Sequence, residues 1–237
     1  MQTPVHERIT TIKTGNVNSY LIGTEKGFVL IDTGTPNSFP RFQQAFDNVN
    51  IAFSDLICIV ITHTHYDHAG CAAEIQTRSS APVIVHEAEA EFTRQGFTPL
   101  PKGTGALGRM ILKAAKGARP AHGNYPPFTP AVTVSKQYDL SEFGIRGFVV
   151  PTPGHTNGSV SIILENEACF TGDSLFHFFF TARYYPPFAD DEKTLLQTWE
   201  YFTTLPCTVF YPGHGKPISK RNFLDAFEKI TRKYRST

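Results

Sequence analysis

The chain has 237 residues, which suits one large domain with a substantial core or two small ones. Its composition is ordinary for a globular protein, with 41% hydrophobic and 18% charged residues. A formal net charge of +1 gives no general attraction to nucleic acid or to an acidic membrane surface. We expect no membrane span and no secretory signal, because no run reaches roughly 18 apolar residues and MQTPVHERITTIKTG lacks an apolar centre.

The four cysteines, Cys58, Cys71, Cys169 and Cys207, form no Cys-X-X-Cys pair. Cys58 and Cys169 lie in or beside apolar, strand-like runs, where a thiol packs as a small hydrophobic group. We therefore expect reduced structural thiols rather than disulfides or metal ligands. A reducing cytoplasm is the location that agrees with this expectation.

The first part of the chain predicts strands in RITTIKTG, NSYLIGT and GFVLIDTG, which are β-rich and separated by turn residues. A helix is predicted over about 38–50, where three phenylalanines recur at spacings of three and four and a proline suits the first turn. A buried strand at 57–62, a helix over about 69–79 and a buried strand in PVIVH follow.

The segment 97–130 differs from its surroundings because it is rich in Gly and Pro. It encloses one predicted helix, GALGRMILKAAKG, with an apolar stripe and basic residues off that stripe. A long segment of this kind in a compact domain is usually functional. We interpret it as a lid over the body of the protein. A helix on a membrane surface and a dimer arm are the alternatives.

Strands resume in TVSKQYDL, IRGFVVPT, VSIILE and ACFTGD, followed by a helix over about 190–205, a strand in CTVFYP and a helix over about 219–234. Each half thus has strands followed by a strand–helix alternation. This order predicts two packed mixed sheets with helices outside. No low-complexity linker separates the halves, so we expect a single domain over 1–237 with a lid-like insertion at about 97–130.

The segment THTHYDHAG concentrates titratable side chains directly after the buried run ICIVI. It contains His63, His65, Asp67 and His68. Open α/β folds bind ligands beyond the carboxyl ends of their strands, and residues two apart in an extended chain project to the same side. Imidazole and carboxylate are ligands that Zn²⁺, Fe and Mn accept. We therefore interpret the segment as part of a metal site rather than a solvated turn.

Three further polar residues follow apolar, strand-like runs, and each is preceded by glycine. They are His155 in PTPGHTNGS, Asp173 in FTGDSLF and His214 in YPGHGKP. Glycine allows close backbone approach and unusual dihedral angles. The candidate ligands are then too many for one tetrahedral zinc ion. Incidental histidines on unrelated surface loops would explain single residues but not the whole pattern.

The ordered blocks HxHxDH, GH, GD and GHG, with LIDTG before them, resemble the metallo-β-lactamase-fold hydrolase superfamily over about residues 18–217. The resemblance implies an α/β fold in the form of a four-layer αββα sandwich, with a dinuclear metal centre on one edge. Asp32 of LIDTG matches the acid that braces the metal loop from behind.

The resemblance also implies two divalent ions, with Zn²⁺ preferred and Fe or Mn as alternatives. A hydroxide that bridges two such ions is a nucleophile at neutral pH. Asp67 is the expected catalytic residue, because it can orient this hydroxide and handle its proton. The implied ligands are His63, His65 and His155 for the first ion, Asp67, His68 and His214 for the second, and Asp173 as the bridge.

Within the superfamily, this ligand set favours a hydrolase of an ester, thioester or lactone carbonyl. True β-lactamases lack the bridging aspartate that Asp173 supplies. Glyoxalase II-like thioesterases and quorum-quenching lactonases share the metal set, but the helical glutathione-binding domain of the former has no evident counterpart here. The alternatives are a phosphodiesterase or nuclease of the same fold, or a metal-dependent sulfur or redox enzyme such as a persulfide dioxygenase relative.

The aromatic segment FHFFFTARYYPPF follows Asp173 and is expected near the metals. One interpretation is core packing with an oligomer interface. The other is an apolar pocket wall in which Arg183 clamps an anion and Tyr184 or Tyr185 contacts the substrate. The expected partner is a small, partly apolar molecule rather than nucleic acid, and a homodimer is the possible assembly.

Overall fold

The computed structural model describes residues 4–104, 108–110, 123–165, 167–178 and 184–235. The first-half strands are β1 Ile9–Thr14, β2 Val17–Gly23, β3 Phe28–Ile31, β4 Leu56–Val60, β5 Val83–His86 and β6 Val132–Val134. The helices between them are α1 Phe39–Asn48, α2 Tyr66–Ala69, α3 Ala72–Ser79 and α4 Ala90–Gln95.

The second half likewise consists of strands and helices. Its strands are β7 Tyr138–Asp139, β8 Gly147–Pro151, β9 Val160–Leu164, β10 Ala168–His177, β11 Val209–Gly215 and β12 Ile218–Ser219. Its helices are α5 Glu192–Thr204 and α6 Lys220–Arg235. Short 3₁₀ turns lie at Val5–Arg8, Phe53–Asp55, Glu87–Glu89 and Ser141–Phe143.

Both halves form mixed sheets, as the order of elements predicts. In the first half β3, β4, β5 and β6 are parallel neighbours, while β1 and β2 add antiparallel strands. In the second half β10 and β11 are parallel, and β9, β8 and β7 continue the sheet in antiparallel fashion. The described ladder connects the halves through one residue pair, Val17 of β2 with His214 of β11.

The sheets are buried on both faces. Along β3, Val29 and Ile31 join a cluster shared with second-half residues such as Ile162 and Phe170. Leu30 points to the opposite face, where it packs with Phe42 of α1. This alternation is the period of two expected of a strand. Helices α5 and α6 cover the outer face of the other sheet through Trp199, Phe202 and Phe223. The result is the four-layer αββα sandwich.

Three local features differ from the sequence-based expectations. The helix predicted over 69–79 begins later, as α3 at Ala72, and a separate helical turn, α2, precedes it. Between them Gly70 packs closely on the Pro36 backbone, where a Cβ would lie 2.3 Å from the Pro36 nitrogen. Strands β10 and β11 continue past Asp173 and His214 rather than ending before them. Helix α4 has no counterpart among the predicted elements.

The insertion is described at 97–104, 108–110 and 123–130. Its first part is hydrogen-bonded to the segment before α5: the Thr104 amide donates to the Pro187 carbonyl at 2.8 Å, and Gly103 forms a bridge with Phe188. Most of the predicted GALGRMILKAAKG helix lies outside the described residues, so the lid remains a prediction. Among the described helices, none has the length and apolarity needed to cross a bilayer. All four cysteines are free.

Candidate metal centre

Two groups of possible ligands lie side by side where the halves meet. His63, His65 and His155 have ligand atoms within 4.8 Å of one another, and all three are buried. The second group consists of Asp67, His68 and His214, whose ligand atoms satisfy the same limit. Each group combines side chains of the loop after β4 with one side chain from the second half.

Asp173 lies between the two groups. Its Oδ2 is 3.6 Å from Nε2 of His155 and 3.9 Å from Nε2 of His63, both in the first group. The same oxygen is 3.4 Å from Nε2 of His214, and Oδ1 is 3.2 Å from Nε2 of His68, both in the second group. The structure therefore brings together all seven side chains that the sequence nominated.

Several buried polar atoms of this cluster have no hydrogen-bond partner among the described residues. They include Nε2 of His63 and Nε2 of His65. Buried polar atoms are normally paired, so a group of unpaired ones indicates a missing binding partner. Imidazole nitrogens and a carboxylate are donors suited to Zn²⁺ and related cations. The residues present thus fit a divalent metal.

The opposite ring nitrogens are fixed by the surrounding protein. Nδ1 of His155 donates to the Phe188 carbonyl at 2.9 Å, and Nδ1 of His214 donates to the Asn16 carbonyl at 2.9 Å. These bonds fix the orientation of both rings and, in the neutral ring, the tautomer in which Nε2 presents a lone pair toward the centre. Orientation of metal-binding histidines by such partners is a general feature of metal sites.

Asp32 braces the loop that carries the first four ligands. Its Oδ1 accepts from the Thr62 amide at 2.7 Å, and its Oδ2 accepts from the Thr62 hydroxyl at 2.8 Å. Oδ2 also accepts from Nδ1 of His68 at 2.8 Å. Asp32 itself has a positive φ of 59°, an uncommon conformation that turns the carboxylate under the loop. The carboxylate thus connects the residue before His63 with the ring of His68.

Burial governs the protonation of the first group. It lowers the pKa of His65 and of His155 to about 4, and it lowers the pKa of His63 well below the usual histidine value. The three imidazoles are therefore neutral at pH 7. Neutral imidazole is the form that binds a metal.

The second group has the opposite balance. Burial alone would raise the pKa of Asp67, but the hydrogen bond with His214 and the charges of His68 and His214 together outweigh burial and lower this pKa to about 2. Burial would lower the pKa of His214, but Asp173 and Asp67 raise it to about 9. Without metal this group holds a proton that a cation must displace.

Glycines before two ligands allow the close packing. A Cβ at Gly172, which has a φ of +49°, would lie 2.6 Å from the Thr62 hydroxyl oxygen. A Cβ at Gly213 would lie 2.5 Å from both Oδ1 of Asp173 and Cε1 of His68. Register shifts between β10 and β11 on both sides of Gly172 mark a β-bulge or a similar irregularity there. Such bulges redirect side chains, which explains how Asp173 reaches the centre from within a strand.

Two connected clefts open onto the centre. The inner cleft, about 210 Å³, has an apolar wall of Leu100, Pro101, Phe176 and Phe188 over ligands from both groups. The outer cleft is larger, about 600 Å³, and extends from Asp67 and His214 toward the start of α1. Its lining includes Asn37, Ser38 and Arg41 beside Pro36, Pro40 and Phe178. Tyr66 lies in the lining of both clefts.

The two tyrosines predicted to contact the substrate pack against other rings. Tyr184 packs on His177 with ring centroids 4.9 Å apart, and Tyr185 packs on Trp199 at 5.5 Å. Neither lines the inner or the outer cleft, so their geometry gives no support to substrate contact. Arg183 lies outside the described residues. Tyr66 and Leu100, which do line the inner cleft, were not predicted, although the position of Tyr66 within THTHYDHAG could have indicated it.

The sequence profile of the metallo-beta-lactamase superfamily matches residues 12–214, most of the chain and all seven clustered side chains. The chain belongs to this superfamily. A probable metallo-hydrolase of Methanocaldococcus jannaschii is 30% identical over 159 residues, which cover 67% of either chain. A probable metallo-hydrolase of Streptococcus pyogenes serotype M6 is 29% identical over 201 residues, 84% of this chain and 78% of its own.

Solved structures of the superfamily share the fold. A subclass B3 metallo-beta-lactamase of Bradyrhizobium japonicum superposes with a TM-score of 0.71 at 18% identity, covering 97% of this chain and 90% of its own. A metallo-beta-lactamase family protein of Thermus thermophilus gives a TM-score of 0.70 at 21% identity, covering 97% and 80% respectively. The αββα sandwich of the superfamily is thus confirmed.

Proposed function

We propose that the chain is a dinuclear metal-dependent hydrolase that cleaves an ester, thioester or lactone carbonyl. The observation that carries this proposal is the position of Asp173, whose carboxylate lies within 4 Å of histidines from both ligand groups. Two cations held about 3.5–4 Å apart, a spacing typical of two-metal sites, repel each other, and a carboxylate between them offsets the repulsion.

In this proposal the two groups each hold one cation, with Zn²⁺ preferred and Fe or Mn as alternatives. The ligands are His63, His65 and His155 for one, Asp67, His68 and His214 for the other, and Asp173 for both. The bound cations supply Lewis acidity, which lowers the pKa of water and polarises a carbonyl oxygen.

Asp67 is the proposed catalytic residue. Its carboxylate lines both clefts, and its Oδ2 is 3.5 Å from Nε2 of His214. Its low pKa keeps it ionised at neutral pH, so it can accept a hydrogen bond from the attacking water and orient it. Asp32 supports this geometry through His68 and Thr62 without lining either cleft.

The shape and lining of the clefts support a small, partly apolar carbonyl substrate. The wall of Leu100, Pro101, Phe176 and Phe188 suits an acyl group beside the ligands, and the wider outer cleft suits the remainder of the molecule. A thioesterase of Emericella nidulans is 24% identical over 204 residues, although the match covers only 46% of that protein. The free cysteines agree with the cytoplasmic location expected from the sequence.

A substrate panel with matched variants tests the proposal. Purified, metal-loaded protein is assayed on a lactone, a thioester and bis(p-nitrophenyl) phosphate, and its metal content is measured. We expect turnover of a carbonyl substrate that exceeds turnover of the phosphodiester. Asp173→Ala should lose most activity and at least one bound metal, whereas Asp47→Ala, at an exposed position of α1, should lose neither. Preferential cleavage of the phosphodiester, or full activity of Asp173→Ala, would refute the proposal.

A further inference from the structure

Glu89 is a buried carboxylate close to the centre that no role has yet explained. It is 2% exposed and lies at the end of a 3₁₀ turn before α4. In the described part of the chain, no ion pair neutralises it. An isolated buried charge is costly unless it is hydrogen-bonded and compensated. The position therefore requires an explanation from its neighbours.

The Glu89 carboxylate connects two loops from opposite halves of the chain. Its Oε2 accepts from the Thr64 amide at 3.1 Å and from the Thr64 hydroxyl. Its Oε1 accepts from the Thr156 hydroxyl at 2.7 Å. Thr64 lies between His63 and His65, and Thr156 follows His155 directly. One side chain thus holds together both segments that supply the first ligand group.

The surroundings are shaped to admit this carboxylate. A Cβ at Gly158 would lie 2.4 Å from Cγ of Glu89 and 2.7 Å from Oε1, so only glycine leaves the space. Ser159 shapes the same turn, because its hydroxyl oxygen accepts from the Thr156 amide at 3.0 Å and lies 2.9 Å from the Thr156 hydroxyl. On the other side, Thr98 of the insertion donates to the Thr64 carbonyl at 2.7 Å.

We propose that Glu89 is a positioning residue for the cation of the first ligand group. Its attachment to both loops fixes the approach of His65 to His155. Nδ1 of His65 lies 3.1 Å from Nε2 of His155. This role rests on the metal binding assumed in the proposed function. It differs in its contacts from that of Asp32, which accepts from His68 of the second group and from Thr62 beside His63.

The decisive measurement is metal affinity at each group separately. In a His214→Ala background, which leaves the first group complete, metal-stripped protein is titrated with Co²⁺ and followed by its visible absorption. In a His155→Ala background the same titration reports the second group. We expect Glu89→Gln to weaken Co²⁺ binding about 10–100-fold in the first background and to leave the second within about twofold.

Matched variants separate positioning from general damage. Glu87→Gln changes an exposed acid two residues away and should leave both titrations unchanged. If Glu89→Gln does not fold, Thr156→Val removes one hydrogen bond to the carboxylate, and Thr156→Ser retains the hydroxyl. We then expect weaker Co²⁺ binding for the valine variant and recovery for the serine variant.

Equal weakening at both groups, or unchanged Co²⁺ binding at the first group, would overturn the positioning role. The same holds if Thr156→Ser binds as weakly as Thr156→Val. These titrations need no substrate, so they remain decisive if the carbonyl panel shows no turnover. Conversely, the enzyme could be active while Glu89→Gln leaves Co²⁺ binding at the first group unchanged. That result would refute this inference and leave the proposed function intact.

Discussion

At the scale of single residues, the candidate metal centre depends on glycines, which leave space beside the ligands, as much as on the ligands themselves. Gly213 precedes His214, and its Cα faces both His68 and Asp173. Glycine here is required by space rather than by backbone dihedral angles, because its φ is not among the positive values. Addition of a single methyl group at this position tests the requirement for space.

Gly213→Ala should disturb the metal centre, because its methyl group would lie 2.5 Å from Asp173 and from His68. Overpacking of this kind typically costs about 1–3 kcal/mol. We expect lower metal content and lower activity in a protein that still folds, measured by metal analysis and circular dichroism. Gly23→Ala is the matched control, because its methyl group would meet only ordinary contacts of 3.7 Å or more. Equal behaviour of the two variants would contradict the expectation.

The seven clustered side chains could be predicted from sequence because they come in blocks after recognisable strands. Glu89 could not be. It lies in the acidic stretch HEAEAEF, which has the pattern of a solvated helix face. Its partners Thr64 and Thr156 are 25 and 67 residues away, so only the folded chain shows that this one acid is turned inward. Tyr184 and Tyr185 remain predictions as substrate contacts, although in the structure they pack on His177 and Trp199 and line neither cleft.

At the scale of elements, the first part of the insertion, residues 97–104, is the part whose role can be tested on described residues. Leu100 lines the inner cleft, whereas Phe97, with a similar exposure, does not. The main chain nearby is fixed to the segment 186–189, which also orients His155 through the Phe188 carbonyl. The lid interpretation therefore predicts that substitution of Leu100 affects substrate selectivity and that substitution of Phe97 does not.

Leu100→Ala should reduce kcat/KM on a bulky apolar acyl substrate by about fivefold, close to 1 kcal/mol of lost apolar contact. Activity on a small activated ester should change much less, because little of it reaches this wall. Phe97→Ala should affect neither substrate. Steady-state kinetics with the two esters measures the difference. A uniform loss on both substrates, or the same selectivity change in Phe97→Ala, would count against a lid.

Element boundaries were less predictable than element order. The pattern of apolar runs located the strands and main helices, because burial on one or two faces leaves a clear period. It did not show that β10 and β11 continue through Asp173 and His214, since a ligand inside a strand depends on the bulge at Gly172. Nor did it predict α4, a short helix of six residues with little periodicity to detect.

At the scale of the whole molecule, metal binding and stability should be linked. Ligands that bind the folded chain and not the unfolded one add stability, about 2.7 kcal/mol at a free concentration 100 times Kd. Removal of metal with a chelator should lower Tm by about 5–10 °C for a domain of this size. Calorimetry with and without chelator measures the shift. Asp173→Ala should show a smaller shift, and an equal one would indicate that the metal lies elsewhere.

The two ligand groups each require both halves of the chain. His63 and His65 have no third partner until the second half supplies His155, and Asp67 and His68 likewise await His214. The described sheets are joined by one ladder pair, between Val17 and His214, and by a shared apolar cluster, and bound cations would add a further connection between the halves. A chain with misassembled halves would leave both groups incomplete. The metal content of a preparation would then serve as a gauge of its folding yield.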